Sequence, residues 1–336
     1  MSWSIRRAAG LLLLLSAGCA GSRGCADLKV TTLASSSLHE YGAITVDDRH
    51  AYWLDQGTPD DDYASGAVMR VLKTGGEAER VVGDKGNLLA LAVDDASVYW
   101  TRAGGAEVLR APKAGGPADT LLRGLKSPGG VAVDATFVYV TETAWQGRVV
   151  KAPKAGGEIV AIATDQHHPT EVLVDDTAVY WIDAGSSSDG AEMKAPKAGG
   201  APTVLADKLR RPRALALDAG NVYWLQSRLE EPGGDRDSVV RVAKSGGEPA
   251  TLIGNQAGAS ALGVDERNVY WATMFSGEIA GLPKAGGGAP VVIADKQNGP
   301  GALAVDVSGI FWTTDARGSR GVKAQRHEAA VRIAVK

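Results

Sequence analysis

Two adjacent histidines, His167 and His168, are the first residues to consider for chemistry. Imidazole side chains serve as general bases and as metal ligands near neutral pH. The pair precedes Pro169 in a segment that connects two predicted strands, and Arg210 and Arg211 occupy the next such segment, where they could bind an anion. Connecting loops carry binding and catalytic residues on rigid scaffolds. Both pairs are therefore candidates, although polar loop residues that merely face solvent are the simpler interpretation.

Two long variable segments, residues 55–66 and 226–238, are rich in carboxylates. Consecutive carboxylates can donate oxygen ligands to Ca²⁺, but the spacing is not that of an EF-hand, and a solvated acidic loop would look the same. Two acidic loops on one rim would attract cations or basic peptide segments. The candidate residues are Asp60, Asp61, Asp62 and Tyr63 in the first segment and Glu230 and Glu231 in the second.

Two aromatic residues, Trp145 and Phe275, fall in variable segments and are candidate contacts for a partner. The alternative is that each anchors its own loop.

The chain contains no G-x-S-x-G elbow, phosphate-binding glycine loop or H-E-x-x-H pair, and its only cysteines are Cys19 and Cys25. The common nucleophile and metal motifs are therefore missing. We predict no catalytic residue, no metal ligand and no cofactor, and hence a protein that is not an enzyme.

The charge balance narrows the classes of partner. Lysine plus arginine number 36 and aspartate plus glutamate number 39, so the formal net charge is −3. This value excludes the basic footprint that nucleic-acid binding by a whole domain requires. The chain also contains 43 glycines and 14 prolines, so turns must be frequent. We expect many short elements and no nucleic-acid partner.

The N-terminal segment has the features of a secretory signal. Two arginines precede a short apolar run, residues 8–15, which is too short to span a bilayer as a helix. The run Leu15–Cys19 (LSAGC) resembles the lipobox of bacterial lipoproteins, although Ser16 stands where an aliphatic residue is usual. That resemblance implies cleavage before Cys19 and diacylation of its thiol. The mature protein would then be held by lipid in the cell envelope, either in the periplasm or on the outer membrane.

An internal repeat organises the rest of the chain. A hydrophobic residue followed by aspartate, which we call the aspartate step, recurs about every 43 residues. A Tyr-Trp pair, or a pair that retains one aromatic residue or has Phe in place of Tyr, follows each step. The aspartates are Asp47, Asp94, Asp134, Asp175, Asp218, Asp265 and Asp306. A Lys-x-Gly-Gly hairpin, whose glycines accept the positive φ of a tight turn, begins at Lys73, Lys113, Lys154, Lys197, Lys244 and Lys284. We expect these lysines to keep the hairpins soluble or, alternatively, to form an anion-binding ring.

Each unit contains four short β-favouring segments and no helical periodicity. Four antiparallel strands in every 40 to 45 residues are typical of a β-propeller. The first segment is built of small and aliphatic residues, as in Ala214–Leu217, which suits the crowded axis. The Tyr-Trp segment lies next out, where aromatic rings fill the widening gap. The sequence therefore predicts an all-β fold, a closed ring of seven four-stranded antiparallel blades. Either residues 28–34 or residues 330–335 would supply the fourth strand of the last blade.

The segments RRPRALALDAGNVYWLQ, NVYWAT and FWTTD resemble the YWTD propeller repeats of lipoprotein-receptor ectodomains and their bacterial relatives. NHL and virginiamycin-lyase-like propellers are similar in unit length. Receptor YWTD propellers have six blades, whereas seven aspartate steps occur here, and the Thr-Asp pair is complete only at Thr314 and Asp315. The resemblance implies a propeller but carries no function. In virginiamycin-lyase-like propellers, catalysis needs His and Glu on the variable-loop face together with Mg²⁺.

These observations predict a signal peptide at residues 1–18, a lipidated linker with a candidate closing strand at 19–40, and the propeller at 41–336. The loops between second and third strands and between blades vary most, so we expect their face to bind a partner protein or a small extracytoplasmic ligand. The propeller would act as a monomeric scaffold. The alternative is a metal-dependent lyase or lactonase at the mouth of the central channel, with His167 or His168 and carboxylates from several blades holding the ion.

Overall fold

The computed structural model describes residues 28–36, 41–57, 64–86, 88–102, 105–228, 236–314 and 329–335. These residues form seven four-stranded antiparallel sheets, which confirms the predicted fold class. The described part of the chain contains strands and turns but no helix that could cross a membrane.

In the first six blades the strands are hydrogen-bonded in chain order, from the inner strand outward. Blade 1 consists of β2 (Tyr41–Val46), β3 (His50–Asp55), β4 (Ala67–Leu72) and β5 (Glu79–Gly83). Blade 2 consists of β6 (Leu88–Val93), β7 (Ser97–Arg102), β8 (Val108–Pro112) and β9 (Asp119–Leu122). Blade 3 consists of β10 (Pro128–Val133), β11 (Phe137–Glu142), β12 (Gly147–Pro153) and β13 (Val160–Gln166). Blade 4 consists of β14 (Pro169–Val174), β15 (Ala178–Asp183), β16 (Gly190–Pro196) and β17 (Thr203–Leu209). Blade 5 consists of β18 (Arg213–Leu217), β19 (Asn221–Arg228), β20 (Arg236–Ala243) and β21 (Ala250–Ala257). Blade 6 consists of β22 (Ala259–Val264), β23 (Asn268–Thr273), β24 (Glu278–Pro283) and β25 (Val291–Ala294).

The last blade joins the two ends of the chain. Its strand order is β26 (Pro300–Val305), β27 (Gly309–Thr314), β28 (Ala329–Val335) and then β1 (Val30–Ser36). The N-terminal strand is therefore the fourth strand, and residues 330–335, which we had considered for that place, form the third. Five of the seven residues of β28 are buried, and this strand has a neighbouring strand along each edge. The N-terminal strand thus completes the last blade and covers the outer edge of β28.

The inner strands form a continuous ring. Each packs against the inner strand of the next blade, in the order β2, β6, β10, β14, β18, β22 and β26, and β26 packs against β2. The indole rings that follow these strands are fully buried between blades, as predicted; they belong to Trp53, Trp100, Trp181, Trp224, Trp271 and Trp312. Such a ring buries roughly 150–250 Å². In the seam between blades 4 and 5, for example, Trp224 packs with Tyr180 and Ile182 of the preceding blade.

The repeated aspartates lie on the turn face, which is formed by the turns after the inner strands and the Lys-x-Gly-Gly hairpins. Asp47 accepts the backbone N–H groups of Arg49 and His50 at 2.8 and 2.7 Å and the hydroxyl of Tyr52 at 2.9 Å. Lys113 from the next blade forms an ion pair with the same carboxylate. We call this arrangement an aspartate hub. Burial opposes the ionisation of Asp47, but these partners outweigh it and hold the pKa of the carboxyl well below its usual range.

The lysine of each hub comes from a neighbouring blade, so the hubs tie the ring together. The described pairs are Lys73–Asp306, Lys113–Asp47, Lys154–Asp94, Lys197–Asp134, Lys244–Asp175 and Lys284–Asp218. Each lysine side chain is largely covered. The roles expected for these lysines, solubility or an anion-binding ring, are therefore wrong, because their ammonium groups are already neutralised between blades.

Candidate functional site

The loop face, opposite the hubs, is formed by the loops between second and third strands and by the connections between blades. Trp145 lies in the loop between β11 and β12, and both candidate histidines lie in the connection from β13 to β14. The indole of Trp145 stacks on the ring of His167, with centroids 5.1 Å apart and planes at 17°. It meets His168 edge-on at 5.4 Å and 68°. We call these three residues the Trp145 platform; 51% of Trp145 remains exposed.

Backbone hydrogen bonds hold the platform in place. The N–H of His168 donates to the carbonyl of Ala144 in blade 3 at 2.9 Å. The carbonyls of His168 and His167 accept the N–H groups of Ala184 and Gly185 in blade 4 at 3.1 and 3.0 Å. Loops from two blades are therefore fastened to the same short connection, and the exposed indole stands on a braced support.

His168 has a φ of 54°, a left-handed conformation that is uncommon for residues other than glycine. Residues at the same place in other blade connections share it: Ser127, Arg211, Gly258 and Gly299. Strained backbone often marks functional sites. Here it recurs around the ring, so it belongs to the geometry of the connections and not to the chemistry of one blade.

The candidate arginines Arg210 and Arg211 are exposed in the next connection. The third arginine of this segment, Arg213, has a structural role, because its guanidinium pairs with the fully buried carboxylate of Asp237 at 2.6 Å. The hydroxyl of Ser227 also donates to Asp237, at 2.9 Å. An anion site at Arg210 and Arg211 stays a prediction.

Phe275 is 62% exposed in the loop between β23 and β24 of blade 6. Its ring covers Gly258, where an added Cβ would lie 2.3 Å from the phenyl Cδ2. A side chain at position 258 would displace the ring, so this glycine lets the phenyl group lie flat on the blade connection. The face thus presents two exposed aromatic residues on different blades.

The other sequence candidates cannot be placed. Cys19, Asp60, Asp61, Asp62, Tyr63, Glu230 and Glu231 lie outside the described residues. Within the described ranges, no three histidine, cysteine or carboxylate side chains are arranged to hold a metal ion. These residues therefore do not assemble the ligand set that the lyase-like resemblance implies for Mg²⁺, and we derive no metal-dependent step.

Sequence reasoning missed Glu192, a fully buried residue of β16 that faces blade 5. Neither of its carboxylate oxygens has a hydrogen-bond partner among the described residues. Burial and the nearby carboxylates of Glu171 and Asp183 raise the pKa of Glu192 well above its usual range. An unpaired buried carboxylate is costly, and such a group normally takes up a proton.

Glu171, on the inner strand β14, was also missed. Its two carboxylate oxygens accept the N–H groups of Ala214 and Leu215 on the inner strand of blade 5, at 2.7 and 2.8 Å. Ala214 has a left-handed φ of 55°, and the carboxylate satisfies the two N–H groups at that irregular point. Burial raises the pKa of Glu171, against the opposing effects of these two N–H groups and of Arg213.

Asp183 ends β15 directly below the Trp145 platform. Its carboxylate accepts the backbone N–H of His167 at 3.3 Å and the indole N–H of Trp181 at 3.1 Å. Burial raises the pKa of Asp183 to about 6, although these donors oppose the shift. In blade 3 the corresponding Glu142 has Arg148 opposite it, whereas Asp183 has Ala191. We call Glu171, Asp183 and Glu192 the blade 4 carboxylates.

A comparison of the repeats would have found two of these residues. At the position of Glu171, counted from the aspartate step, the other units have Ala43, Ala90, Gly130, Ala214, Ala261 and Ala302. At the position of Glu192, the other blades have Val68, Val108, Val149, Val239, Ile279 and Val331, all fully buried. A glutamate replaces a small residue in one case and a β-branched residue in the other. The signal is a departure from the repeat, and a search for motifs could not detect it.

A cavity of about 610 Å³ lies on the turn face, away from the blade 4 carboxylates. It is lined by members of one hub, Asp218, Tyr223 and Lys284. These polar groups already bind one another, at 2.7 Å for the hydroxyl and 2.6 Å for the ammonium group. The chemistry of this protein is therefore better sought on the loop face.

Comparisons with solved structures identify the architecture. No family model and no curated protein matches the chain. A chain of a nidogen–laminin complex is 21% identical, with a TM-score of 0.54 over 72% of this chain and 95% of that one. A catalytically inactive variant of virginiamycin B lyase from Staphylococcus aureus, solved with quinupristin, is 14% identical, with a TM-score of 0.66 over 92% and 100%. Oligogalacturonate lyase in complex with manganese is 14% identical, with a TM-score of 0.66 over 93% and 94%.

The protein is a seven-bladed β-propeller. At these identities the likeness establishes the fold alone, and the resemblance to propeller families is confirmed at that level. The prediction that the protein is not an enzyme is wrong. Two lyases share the architecture over more than 90% of the chain, so neither the propeller nor the lack of familiar motifs excludes catalysis.

Proposed function

We propose that this propeller is a binding scaffold whose loop face contacts a partner protein through the Trp145 platform. The observation that carries the proposal is the exposed indole of Trp145, braced by two blades and stacked on His167. Tryptophan is enriched among the residues that dominate binding energy, because its large flat ring buries much area at little entropic cost. On the opposite face the repeated charges are already paired within the hubs.

Site-specific photo-cross-linking in the native host tests this proposal. A cross-linking residue at position 146, an exposed site next to Trp145, should give an adduct of one defined size. The matched control is position 248, an exposed glutamate after the hairpin on the turn face, which should give none. Adding an excess of soluble wild-type propeller, which retains Trp145, should lower the adduct yield. The same excess of the Trp145→Ala variant should not. Equal adducts from both faces would contradict the proposal.

The scaffold would be held in the cell envelope by lipid at Cys19. The support is the run LSAGC after a short apolar segment. The mature protein should begin at Cys19, carry acyl chains on mass spectrometry and partition with membranes, and Cys19→Ser should abolish both properties. A mature N-terminus elsewhere would contradict this anchor and leave the binding face untouched.

Acid–base catalysis at the platform is a second candidate function, favoured by the position of Asp183 against His167. A carboxyl group with a pKa of about 6 can exchange protons near neutral pH. The substrates to test are those of the similar lyases, oligogalacturonate and quinupristin. Turnover by the wild-type protein that Asp183→Asn abolishes would favour catalysis; turnover by neither protein would remove these two substrates.

A further inference from the structure

The seam between blades 4 and 5 contains a polar residue, Glu192, at a position where the other six blades have valine or isoleucine. Glu192 is paired across the sheet with Ile182 on β15 and Ala206 on β17, and no part of it is exposed. The aliphatic side chains at this position in the other six blades pack against their neighbours. In its neutral form a glutamic acid can occupy such a place, whereas an ionised carboxylate there would need a partner.

Two carboxylates act directly on Glu192: Glu171 on β14 and Asp183 on β15. The other charged groups on the neighbouring elements are Lys194 on β16 itself, Arg213 on β18, Asp237 on β20 and His167 in the blade connection. Arg213 acts on Glu171 and His167 acts on Asp183, and no hydrogen bond among the described residues joins any of these groups to the carboxylate of Glu192. Arg213 is committed to Asp237 at 2.6 Å. The ammonium group of Lys194 donates to the carbonyl of Lys244 at 2.9 Å. The two groups that act electrostatically on Glu192 are carboxylates, which repel its charge.

The same group is linked to the loop face through two short steps. Asp183, whose carboxylate helps to raise the pKa of Glu192, accepts the backbone N–H of His167. The ring of His167 supports the indole of Trp145. A change in the charge of the blade 4 carboxylates therefore acts directly beneath the platform.

We infer that Glu192 is a proton switch: protonated, it packs in the seam between blades 4 and 5 like the valines of the other blades, and on losing the proton it loosens this seam beneath the Trp145 platform. This inference goes beyond the binding function and does not depend on it. It makes the loop face responsive to pH, while the hubs on the turn face hold the ring together.

The sign of the pH dependence follows from the direction of the pKa shift. The unfolded chain releases the glutamate proton near pH 4.3, whereas the folded protein retains it to higher pH. Stabilisation by this proton is complete below the unfolded pKa and is lost as the pH rises towards the folded pKa. The protein should therefore become less stable between pH 5 and pH 8.

Thermal unfolding of matched variants measures this proton. The wild-type Tm should fall between pH 5 and pH 8 by at least about 4 °C more than that of Glu192→Val or Glu192→Gln. Glu192→Val restores the residue of the other blades, so it should fold. Glu79→Gln removes a carboxylate whose side chain is 59% exposed and paired with Arg70, and it should retain the wild-type fall. Parallel curves for wild type and Glu192→Val would overturn the inference.

Two further measurements separate a proton switch from a silent buried acid. The infrared difference spectrum of wild type minus Glu192→Gln at pH 6 should show a protonated carboxylic acid band, because the bands of Asp183 and Glu171, whose pKa values are also raised, occur in both proteins and cancel. Hydrogen exchange of β16 and β18, corrected for its intrinsic pH dependence, should be at least tenfold faster at pH 9 than at pH 6, relative to β8 and β10 in another seam. This acceleration should vanish in Glu192→Val. A missing band, or exchange that is the same in both seams, would overturn the switch. Neither measurement involves a partner, so failure of the binding proposal would be seen separately.

Discussion

Asp94 on the turn face and Glu192 in blade 4 are both carboxylates withdrawn from water, but their surroundings are opposite. Asp94 meets two backbone N–H groups, a tyrosine hydroxyl and the ammonium group of Lys154 at 2.6 Å. Glu192 meets no donor among the described residues and has two carboxylates nearby. The pKa of the first is lowered and that of the second is raised. Repetition thus stabilises charge on one face, and a departure from repetition destabilises it near the other.

The difference also separates two pH ranges. Hub carboxylates with lowered pKa values contribute stability above the unfolded pKa, near pH 3.9, and lose it as the pH falls through the folded value. The blade 4 carboxylates, with raised pKa values, contribute most in mild acid. Between about pH 4 and pH 8 the contribution of the hub carboxylates should be constant, whereas that of the blade 4 carboxylates should fall. Burial lowers the pKa of His50, so this histidine adds a change of opposite sign, which the comparison of matched variants cancels.

Moving the blade 4 substitution to another seam gives the largest expected effect. Val149→Glu places a glutamate at the equivalent position of blade 3, where the valine is fully buried among apolar side chains. We expect a loss of roughly 3–5 kcal/mol in the free energy of unfolding at pH 7, because an unpartnered carboxyl is buried. Chemical denaturation measures it, with Val149→Ala as the control for lost volume. A cost below about 1 kcal/mol would mean that every seam accepts such a group, and blade 4 would not be special.

Breaking one hub should cost somewhat less. Asp94→Ala removes the acceptor of Ala96 and Ser97 N–H, of the Tyr99 hydroxyl and of Lys154. We expect a loss of roughly 2–3 kcal/mol, since several donors lose their partner at a partly covered site. The neighbouring Asp95 is exposed and provides the control, because Asp95→Ala should change stability little. Equal effects from the two variants would contradict the structural role of the hubs.

Neutralising Asp183 should remove part of the pH dependence. The folded pKa of about 6 against an unfolded value near 3.9 predicts that about 2–3 kcal/mol of stability is lost as the pH rises from 4 to 6, and none above it. Asp183→Asn should flatten this segment of the curve. Asp189→Asn, at a fully exposed site in the next loop, is the control. A wild-type curve that is already flat from pH 4 to pH 6 would show that Asp183 titrates normally.

The smallest expected effect on stability concerns the platform. Trp145→Ala should change the free energy of unfolding by less than about 0.5 kcal/mol, because the indole is half exposed and lies outside the seams. Trp181→Ala, by contrast, removes a fully buried indole and should cost roughly 3–5 kcal/mol. A loss for Trp145→Ala as large as that for Trp181→Ala would make Trp145 a structural anchor of its loop and weaken the case for a contact residue.

Part of the candidate site could be predicted from the residues. His167, His168 and Trp145 were found because they stand out in variable segments, but their stacking joins residues of two blades and was not predicted. Glu171 and Glu192 were missed because each lies inside a short strand, where no sequence motif marks it. Their departure from the repeat is visible in the sequence, yet its consequence depends on what the neighbouring blade offers, and Arg213 turns out to be committed to Asp237.

The sequence by itself determined the blade: its four strands and its tight turns follow from contacts within some 45 residues, which local pattern and turn chemistry specify. Only the tertiary structure decided how blades are joined. The hub between Lys73 and Asp306 spans 233 positions, and β1 pairs with the last strand of the chain. Such contacts form when the ring closes, because closure alone brings distant units within hydrogen-bonding distance. The other five hub pairs and the isolation of Glu192 arise where consecutive blades pack, and the pattern within one unit does not specify them.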